Sequence, residues 1–254
     1  MTARAWAALP TVYVVWGSTY LAIMVAIRTL PPLLMSSVRY LVAGAILYAF
    51  AARRGATRPS LRHWRSAVVA GAALLVVGNG GVAALVGPVG GAGIDAIGAL
   101  GALVAAVSWA AGSLYARGAA LPGDLLLGAA MQMLAAGALL AVVGAASGEA
   151  AQMHTPSLAS LGALAYLVVV GSLVAYSSYV WLMRSAPTSI VSTYAFVNPA
   201  IAVALGAAFL GEPLTFRVLA ASAAIVVSVA LIVTAREPRA RVPQPRLEPL
   251  REAA

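Results

Sequence analysis

The chain has 254 residues, of which 62% are hydrophobic and only 9% are charged, and its mean hydropathy is +0.95. So few polar side chains cannot cover a folded surface that faces water, so a soluble domain is excluded and lipid is the expected solvent. The chain has no cysteine, which excludes disulfides and thiolate sites, and its net charge of +9 comes from 16 arginines with no lysine.

Eight apolar stretches of membrane-spanning length follow one another along the chain. They cover residues 9–27, 33–52, 66–86, 97–116, 125–144, 161–181, 189–210 and 216–234. Each has about 20 residues, which at a rise of about 1.5 Å per residue matches a hydrocarbon core about 30 Å thick. We therefore predict an all-α integral membrane protein with eight transmembrane helices. The tail, 236–254, has no apolar periodicity and is predicted to be disordered.

The arginines predict the orientation of these helices. Only Arg28 and Arg217 lie in the odd-numbered gaps, and Arg39 lies inside the second span. The other 13 lie in the even-numbered gaps and at the two ends: Arg4, Arg53, Arg54, Arg58, Arg62, Arg65, Arg117, Arg184, Arg236, Arg239, Arg241, Arg246 and Arg251. The positive-inside rule places that side in the cytoplasm, so both termini are expected there, in a multi-pass cell-membrane protein. The block 53–65 could instead bind lipid headgroups or nucleic acid, but the rule explains it without a nucleic-acid partner.

The chain also repeats a short pattern. A Gly-Ser-x-Tyr motif occurs at 17–20 and again at 112–115, after Trp16 and Trp109 respectively. The first span starts on the inside and the fourth on the outside, so the two units would be inverted repeats, which are typical of secondary transporters. The same residues could instead be aromatic anchors at the membrane interface, or Gly-Ser pairs at which helices pack closely.

Several segments resemble one family. They are Trp16–Tyr20, Leu30-Pro31-Pro32, Val38–Leu41, Val107–Tyr115, Tyr194 with Asn198-Pro199, and Gly211-Glu212-Pro213-Leu214-Thr215. Together, and in this order, they are similar to the drug/metabolite transporter superfamily, EamA-like branch, over essentially all of residues 9–234. The resemblance implies a bundle of inverted repeats that carries small organic solutes.

One departure from that family concerns the number of spans. Members usually have ten spans in two five-helix repeats, whereas this chain has three plus five. Residues 78–88 begin like the family's third span and end like its fifth, so about two spans are missing near 82–85. We expect a shortened first repeat at 1–90, a second repeat at 91–235 and the tail at 236–254. Losing two helices preserves the orientation of the second repeat.

The expected function follows from the resemblance. We expect a secondary transporter, and specifically an exporter, of metabolites, amino acids or drugs. The alternative is a non-transporting degenerate paralogue, or a membrane subunit that needs a partner. A homodimer is a further expectation, because a three-helix repeat would leave a flank of the second repeat uncovered, with Asn198 and Ser192 against lipid.

Candidate binding residues are the polar and aromatic side chains within the spans. Arg39 is the one charged side chain well inside a span, and it could bind solute, act in packing or gating, or reach the headgroups. No carboxylate lies in mid-span, so no proton relay or sodium cage is evident. Asn198-Pro199 is expected to interrupt the seventh span and free a carbonyl group for a cavity, although a packed kink would look the same. The full set is Trp16, Tyr20, Arg39, Asn79, Trp109, Ser113, Gln132, Tyr179 and Asn198.

Nothing in the sequence indicates an enzyme, a metal site or a cofactor. His63 and His154 lie in gaps on opposite sides of the membrane, so they cannot share a metal ion. The serines have no His or Asp partner at membrane depth, and the glycine-rich stretch at 87–93 lacks the lysine of a phosphate-binding loop. The expected partners are a small solute and membrane lipid.

Overall fold

The computed structural model describes residues 3–77, 96–153 and 155–210, together with positions 223 and 227. The long elements within these ranges are all helices. They are α1 (Ala3–Ala26), α2 (Pro32–Arg53), α3 (Leu61–Gly71, continued by the π-helical Ala72–Val76), α4 (Ala96–Gly118), α5 (Leu125–Ala146), α6 (Leu158–Tyr166, the π-helical Leu167–Tyr176, and Ser177–Ser185), the short α7 (Thr188–Val191) and α8 (Tyr194–Leu210).

Five helical stretches in the described ranges are long and apolar enough to cross a membrane. They are Arg4–Ala26, Pro32–Arg53, Leu125–Ala146, Leu158–Ser185 and Ser189–Phe209. This agrees with a multi-pass membrane protein and with five of the predicted spans. α4 covers the predicted fourth span with 23 residues, and α3 begins the third. The end of the third span, with Asn79, and nearly all of the eighth lie outside the described residues, so the count of eight stays a prediction.

At the start of several helices, side-chain oxygens accept hydrogen bonds from the first N–H groups, which have no partner within the helix. Asp124 accepts hydrogen bonds from the N–H groups of Leu126 (2.8 Å) and Leu127 (3.0 Å) at the start of α5. Ser60 forms a capping box with His63 at the start of α3. These caps fix where the membrane helices begin.

The expected interruption at Asn198-Pro199 is wrong. α8 runs without a break from Tyr194 to Leu210 and contains Pro199. Proline removes one N–H donor, and the helix around Pro199 tolerates that loss in its second turn. The chain instead breaks at Ser192 and Thr193, where a turn separates α7 from α8.

Glycines allow the helices to pack closely. α2 and α5 are antiparallel, and a Cβ atom on Gly137 of α5 would lie only 2.9 Å from the backbone nitrogen of Leu41 in α2. The Ser37 hydroxyl of α2 donates to the Gly137 carbonyl over 2.8 Å. α1 meets α8 at Gly17, where a Cβ atom would lie 2.6 Å from the Cβ of Ile201. In lipid there is no hydrophobic driving force for helix association, so close packing at small residues holds these helices together.

Candidate functional site

A cavity of about 640 Å³ lies between the helices, which is within the size range of sites for small organic molecules. Its lining includes the tryptophans of the repeated motif, and each is the fourteenth residue of its helix, Trp16 in α1 and Trp109 in α4. The cavity therefore lies about midway along these two helices. The lining residues are Trp16, Thr19, Tyr20, Ile23, Arg39, Tyr40, Leu74, Leu75, Ala105, Ala106, Trp109, Ala110, Ser113, Leu114, Gly171, Ser172, Tyr176, Tyr179, Met183, Ser192, Tyr194, Ala195 and Asn198.

Four aromatic rings from different helices form one wall of this cavity, and we call them the aromatic cluster: Trp16, Trp109, Tyr179 and Tyr194. The Trp16 ring centroid lies 5.5 Å from that of Trp109 and 5.1 Å from those of Tyr179 and Tyr194. In three of the six ring pairs the two ring planes lie within about 11° of perpendicular. Edge-to-face arrangements of this kind are favourable for aromatic rings. The cluster gives this part of the cavity an aromatic, apolar lining.

Hydrogen bonds hold these rings in place. The Trp16 indole nitrogen donates to the Gly171 carbonyl oxygen over 3.2 Å, and the Ser113 hydroxyl pairs with that of Tyr179 over 2.6 Å. The Trp109 indole nitrogen is buried and has no partner of good hydrogen-bond geometry.

Arg39 brings a positive charge to the same cavity. Its side chain is only 7% exposed, and its Nε donates to the Ser172 hydroxyl oxygen over 2.8 Å. The guanidinium carbon lies 5.0 Å from the centroid of the Tyr40 ring, a cation–π distance. Arg39 therefore points into the bundle and contacts α6, and it does not reach the headgroup region.

Asn198 lies where α1, α8 and the cavity meet. With its amide group oriented to donate, its nitrogen is 3.1 Å from the carbonyl oxygens of both Tyr194 and Tyr13. The side chain is 7% exposed, so the expectation that it would face lipid is wrong. The sequence could not show that the Tyr13 carbonyl, 185 residues away, would be its partner.

Both π-helical segments border the cavity. Leu74 and Leu75 of Ala72–Val76 line it on α3, and Gly171, Ser172 and Tyr176 of Leu167–Tyr176 line it on α6. A π-helix widens the turn and misaligns its hydrogen bonds, and such segments are common at functional sites. In α6 this segment presents the Gly171 carbonyl to Trp16 and the Ser172 hydroxyl to Arg39.

Seven of the nine candidate residues named from the sequence line this one cavity: Trp16, Tyr20, Arg39, Trp109, Ser113, Tyr179 and Asn198. Gln132 stands behind the wall, where its Oε1 accepts a hydrogen bond from the Tyr176 hydroxyl over 2.8 Å, and Asn79 lies outside the described residues. Sequence reasoning missed Ser172 and Tyr194. The Gly-Ser pair at 171–172 was a usable signal, since small residues mark helix contacts.

Comparisons with known proteins agree with this architecture. The sequence model of the EamA-like transporter family matches residues 5–87 and 96–234. "Uncharacterized inner membrane transporter YedA" of Escherichia coli strain K12 is 33% identical over 274 residues, covering 89% of this chain and 89% of the relative. "Uncharacterized transporter YvbV" of Bacillus subtilis strain 168 is 33% identical over 163 residues, covering 63% of this chain and 52% of the relative.

A solved structure, described only as "Crystal structure of protein", matches with a TM-score of 0.62 and 19% identity, over 92% of this chain and 97% of that one. At that identity the likeness concerns the fold alone. The family match covers most of the residues, and the relative from strain K12 covers nearly the whole chain. The chain therefore belongs to the EamA-like transporter family, a family of membrane transporters and not of enzymes.

Proposed function

We propose that this protein is a secondary carrier that exports small organic solutes, and that the cavity beside the aromatic cluster is its solute site. The observation that carries the proposal is the cavity itself, which is of solute size, lies about midway along α1 and α4, and is lined from both halves of the chain. Carriers of this kind bind their solute near the bilayer midplane where two repeats meet.

The comparisons support a repeat layout of three plus five helices. The family match has two parts, and its first part, 5–87, is 56 residues shorter than its second, 96–234. The alignment with the relative from strain K12 is 274 positions long, but it contains only 89% of this chain, which is about 226 residues. About 48 positions of the relative thus have no counterpart here, which is enough for two membrane helices and their connections.

The location we propose is the cell membrane, with both termini in the cytoplasm. The K12 relative is named as an inner membrane transporter, and the 13-to-2 distribution of arginines supports the orientation.

The solute gradient itself is the proposed driving force. Proton- or sodium-coupled carriers use carboxylates within the bundle, and the two acidic side chains in the described ranges, Asp124 and Glu149, both bind helix N-termini. We therefore propose a facilitator or an exchanger.

Efflux from proteoliposomes tests the proposal. Vesicles with the purified chain are loaded with a radiolabelled mixture of organic solutes, and release is followed under a solute gradient alone. Ala105 lines the cavity, so Ala105→Phe should block release by filling the site. The matched control is Val142→Phe on α5, because Val142 is 68% exposed and does not line the cavity.

A chain in which two spans are restored after Val82 provides the comparison for the alternative function. Release by the native chain that Ala105→Phe blocks and Val142→Phe preserves supports the carrier. Release only by the restored chain would contradict it and would favour a degenerate paralogue or a subunit that needs a partner.

A further inference from the structure

No carboxylate in the described part of the chain pairs with the guanidinium group of Arg39. A guanidinium group has five N–H donors and stays ionised, and one of those donors, on Nε, bonds to Ser172. The acidic side chains in the described ranges, Asp124 and Glu149, bind backbone N–H groups elsewhere. A desolvated charge in a bilayer is costly unless it is paired. We therefore expect the terminal nitrogens of Arg39 to bind an anionic group.

Gly171 places this charge next to the aromatic cluster. A Cβ atom on Gly171 would lie 2.9 Å from Nη2 of Arg39, so the guanidinium group rests where a side chain would otherwise be. The carbonyl oxygen of the same residue accepts the hydrogen bond from Trp16. One residue of α6 thus holds the cation on one side and the aromatic cluster on the other.

The charge of Arg39 and the size of the cavity narrow the class of solute. A cation would meet the charge of Arg39 directly, and an inorganic anion would leave most of the 640 Å³ unfilled.

We infer that the transported solute is an organic monoanion, with a carboxylate that pairs with Arg39 and an apolar body that packs against the aromatic cluster. Arginine binds a carboxylate through two parallel hydrogen bonds, which fixes its position as well as its charge. The inference rests on the proposed carrier function and names the substrate class of that same site.

Three probes of one shape test the inference on the native protein. They are 3-phenylpropionate, 3-phenylpropanamide and 3-phenylpropylamine, which share a phenyl ring and differ in the charge of the head group. We expect calorimetry on the purified protein in detergent to show the carboxylate binding about tenfold more tightly than the amide, with the amine weakest. Tenfold tighter binding corresponds to about 1.4 kcal/mol. Equal binding of the three, or no binding of the carboxylate, overturns the inference.

Variants then assign the preference to Arg39. Arg39→Gln should remove the preference for the carboxylate over the amide, and circular dichroism of the purified variant shows that it is folded. Arg39→Lys should keep part of the preference, and Gly171→Ala should weaken it because the added Cβ displaces the guanidinium group. The control is Arg28→Gln, which changes an arginine that does not line the cavity. A carboxylate preference that survives in Arg39→Gln contradicts the inference.

Flux of the same probes separates this inference from the carrier function. Tight carboxylate binding without flux would refute the carrier and leave the anion site standing. Flux that is equal for the amide and the carboxylate would refute the anion site and leave the carrier standing.

Discussion

The carboxylate of Glu149 accepts hydrogen bonds from the N–H groups of Leu33 (3.0 Å) and Leu34 (2.9 Å), although it lies more than 110 residues further along the chain. α2 begins at Pro32, and Pro31 before it provides no side-chain cap. Glu149 is only 7% exposed, so a buried negative charge sits at the positive end of a helix. One side chain thus ties the connection after α5 to the start of α2.

Replacing this carboxylate should destabilise the protein. Glu149→Gln keeps the size of the side chain but removes the charge, so we expect unfolding in detergent, followed by circular dichroism, to become easier by about 1–2 kcal/mol. Asp124→Asn is the control, because asparagine caps a helix as well as aspartate and Asp124 is exposed. Equal unfolding of Glu149→Gln and the native protein would contradict the role given to this charge.

Asn198 makes a second long-range connection, between α1 and α8 at the edge of the cavity. We expect Asn198→Ala to lower solute flux while membrane insertion stays intact, because the variant loses two hydrogen bonds, each worth about 1 kcal/mol. Ser178→Ala is the control, since that hydroxyl donates only to the Val174 carbonyl of its own helix. If folded protein and flux fall together, Asn198 acts through packing alone.

At the scale of single residues, the sequence predicted which side chains lie in the site better than it predicted the groups that they contact. Arg39, Trp16 and Trp109 could be named because charged and large aromatic groups are rare at membrane depth. Ser172 and Tyr194 were missed because, unlike Ser113 and Tyr20, they lie outside the repeated Gly-Ser-x-Tyr motif. The Glu149 cap was invisible because its donors belong to a distant segment.

At the scale of elements, the positions of the helices were predicted from the length and hydropathy of the apolar stretches. The described helices overlap the first seven predicted stretches, because a run of about 20 apolar residues has few alternatives to a membrane helix. The π-helical segments of α3 and α6 and the turn at Ser192 and Thr193 were not predicted. Neighbouring helices contact such segments, as where the Ser108 hydroxyl donates to the Ala73 carbonyl, and contacts of this kind are not visible in the sequence of one segment.

The contact between α1 and α8 should tolerate no side chain at Gly17. We expect Gly17→Ala to destabilise the bundle by about 1–3 kcal/mol, because the new Cβ atom would lie 2.6 Å from Ile201. The double variant with Ile201→Ala should recover part of that loss. Gly162→Ala on α6, where no atom lies within 4 Å, should be neutral or slightly stabilising, as thermal unfolding can show. Equal effects at the two glycines would contradict this helix contact.

At the scale of the whole molecule, the native absence of cysteine makes the orientation directly measurable. A cysteine in place of Arg58, between α2 and α3, should react with an impermeant maleimide only from the cytoplasmic side. A cysteine in place of Met153, which is 57% exposed between α5 and α6, should react only from the outside. Labelling of both from one side would contradict the orientation predicted from the arginines.

The homodimer also stays a prediction. α4 exposes one face, with Leu100, Leu103 and Val107 each 61% exposed. We expect a cysteine at Val107 to form cross-linked dimers in membranes more readily than one at the lipid-facing Val142, which is 68% exposed. A chain that transports without any cross-linked species would show that one copy is sufficient.

Accessibility of the cavity from both sides of the membrane tests the central claim most directly. A carrier must open its solute site to each side in turn, so a cysteine at Ala105 in the cavity wall should react with an impermeant maleimide both in right-side-out and in inverted vesicles. Val142→Cys, on the lipid-facing side of α5, should react in neither. Labelling of Ala105→Cys from both sides is the predicted result, and labelling from one side only, or from neither, would contradict a carrier site in this cavity.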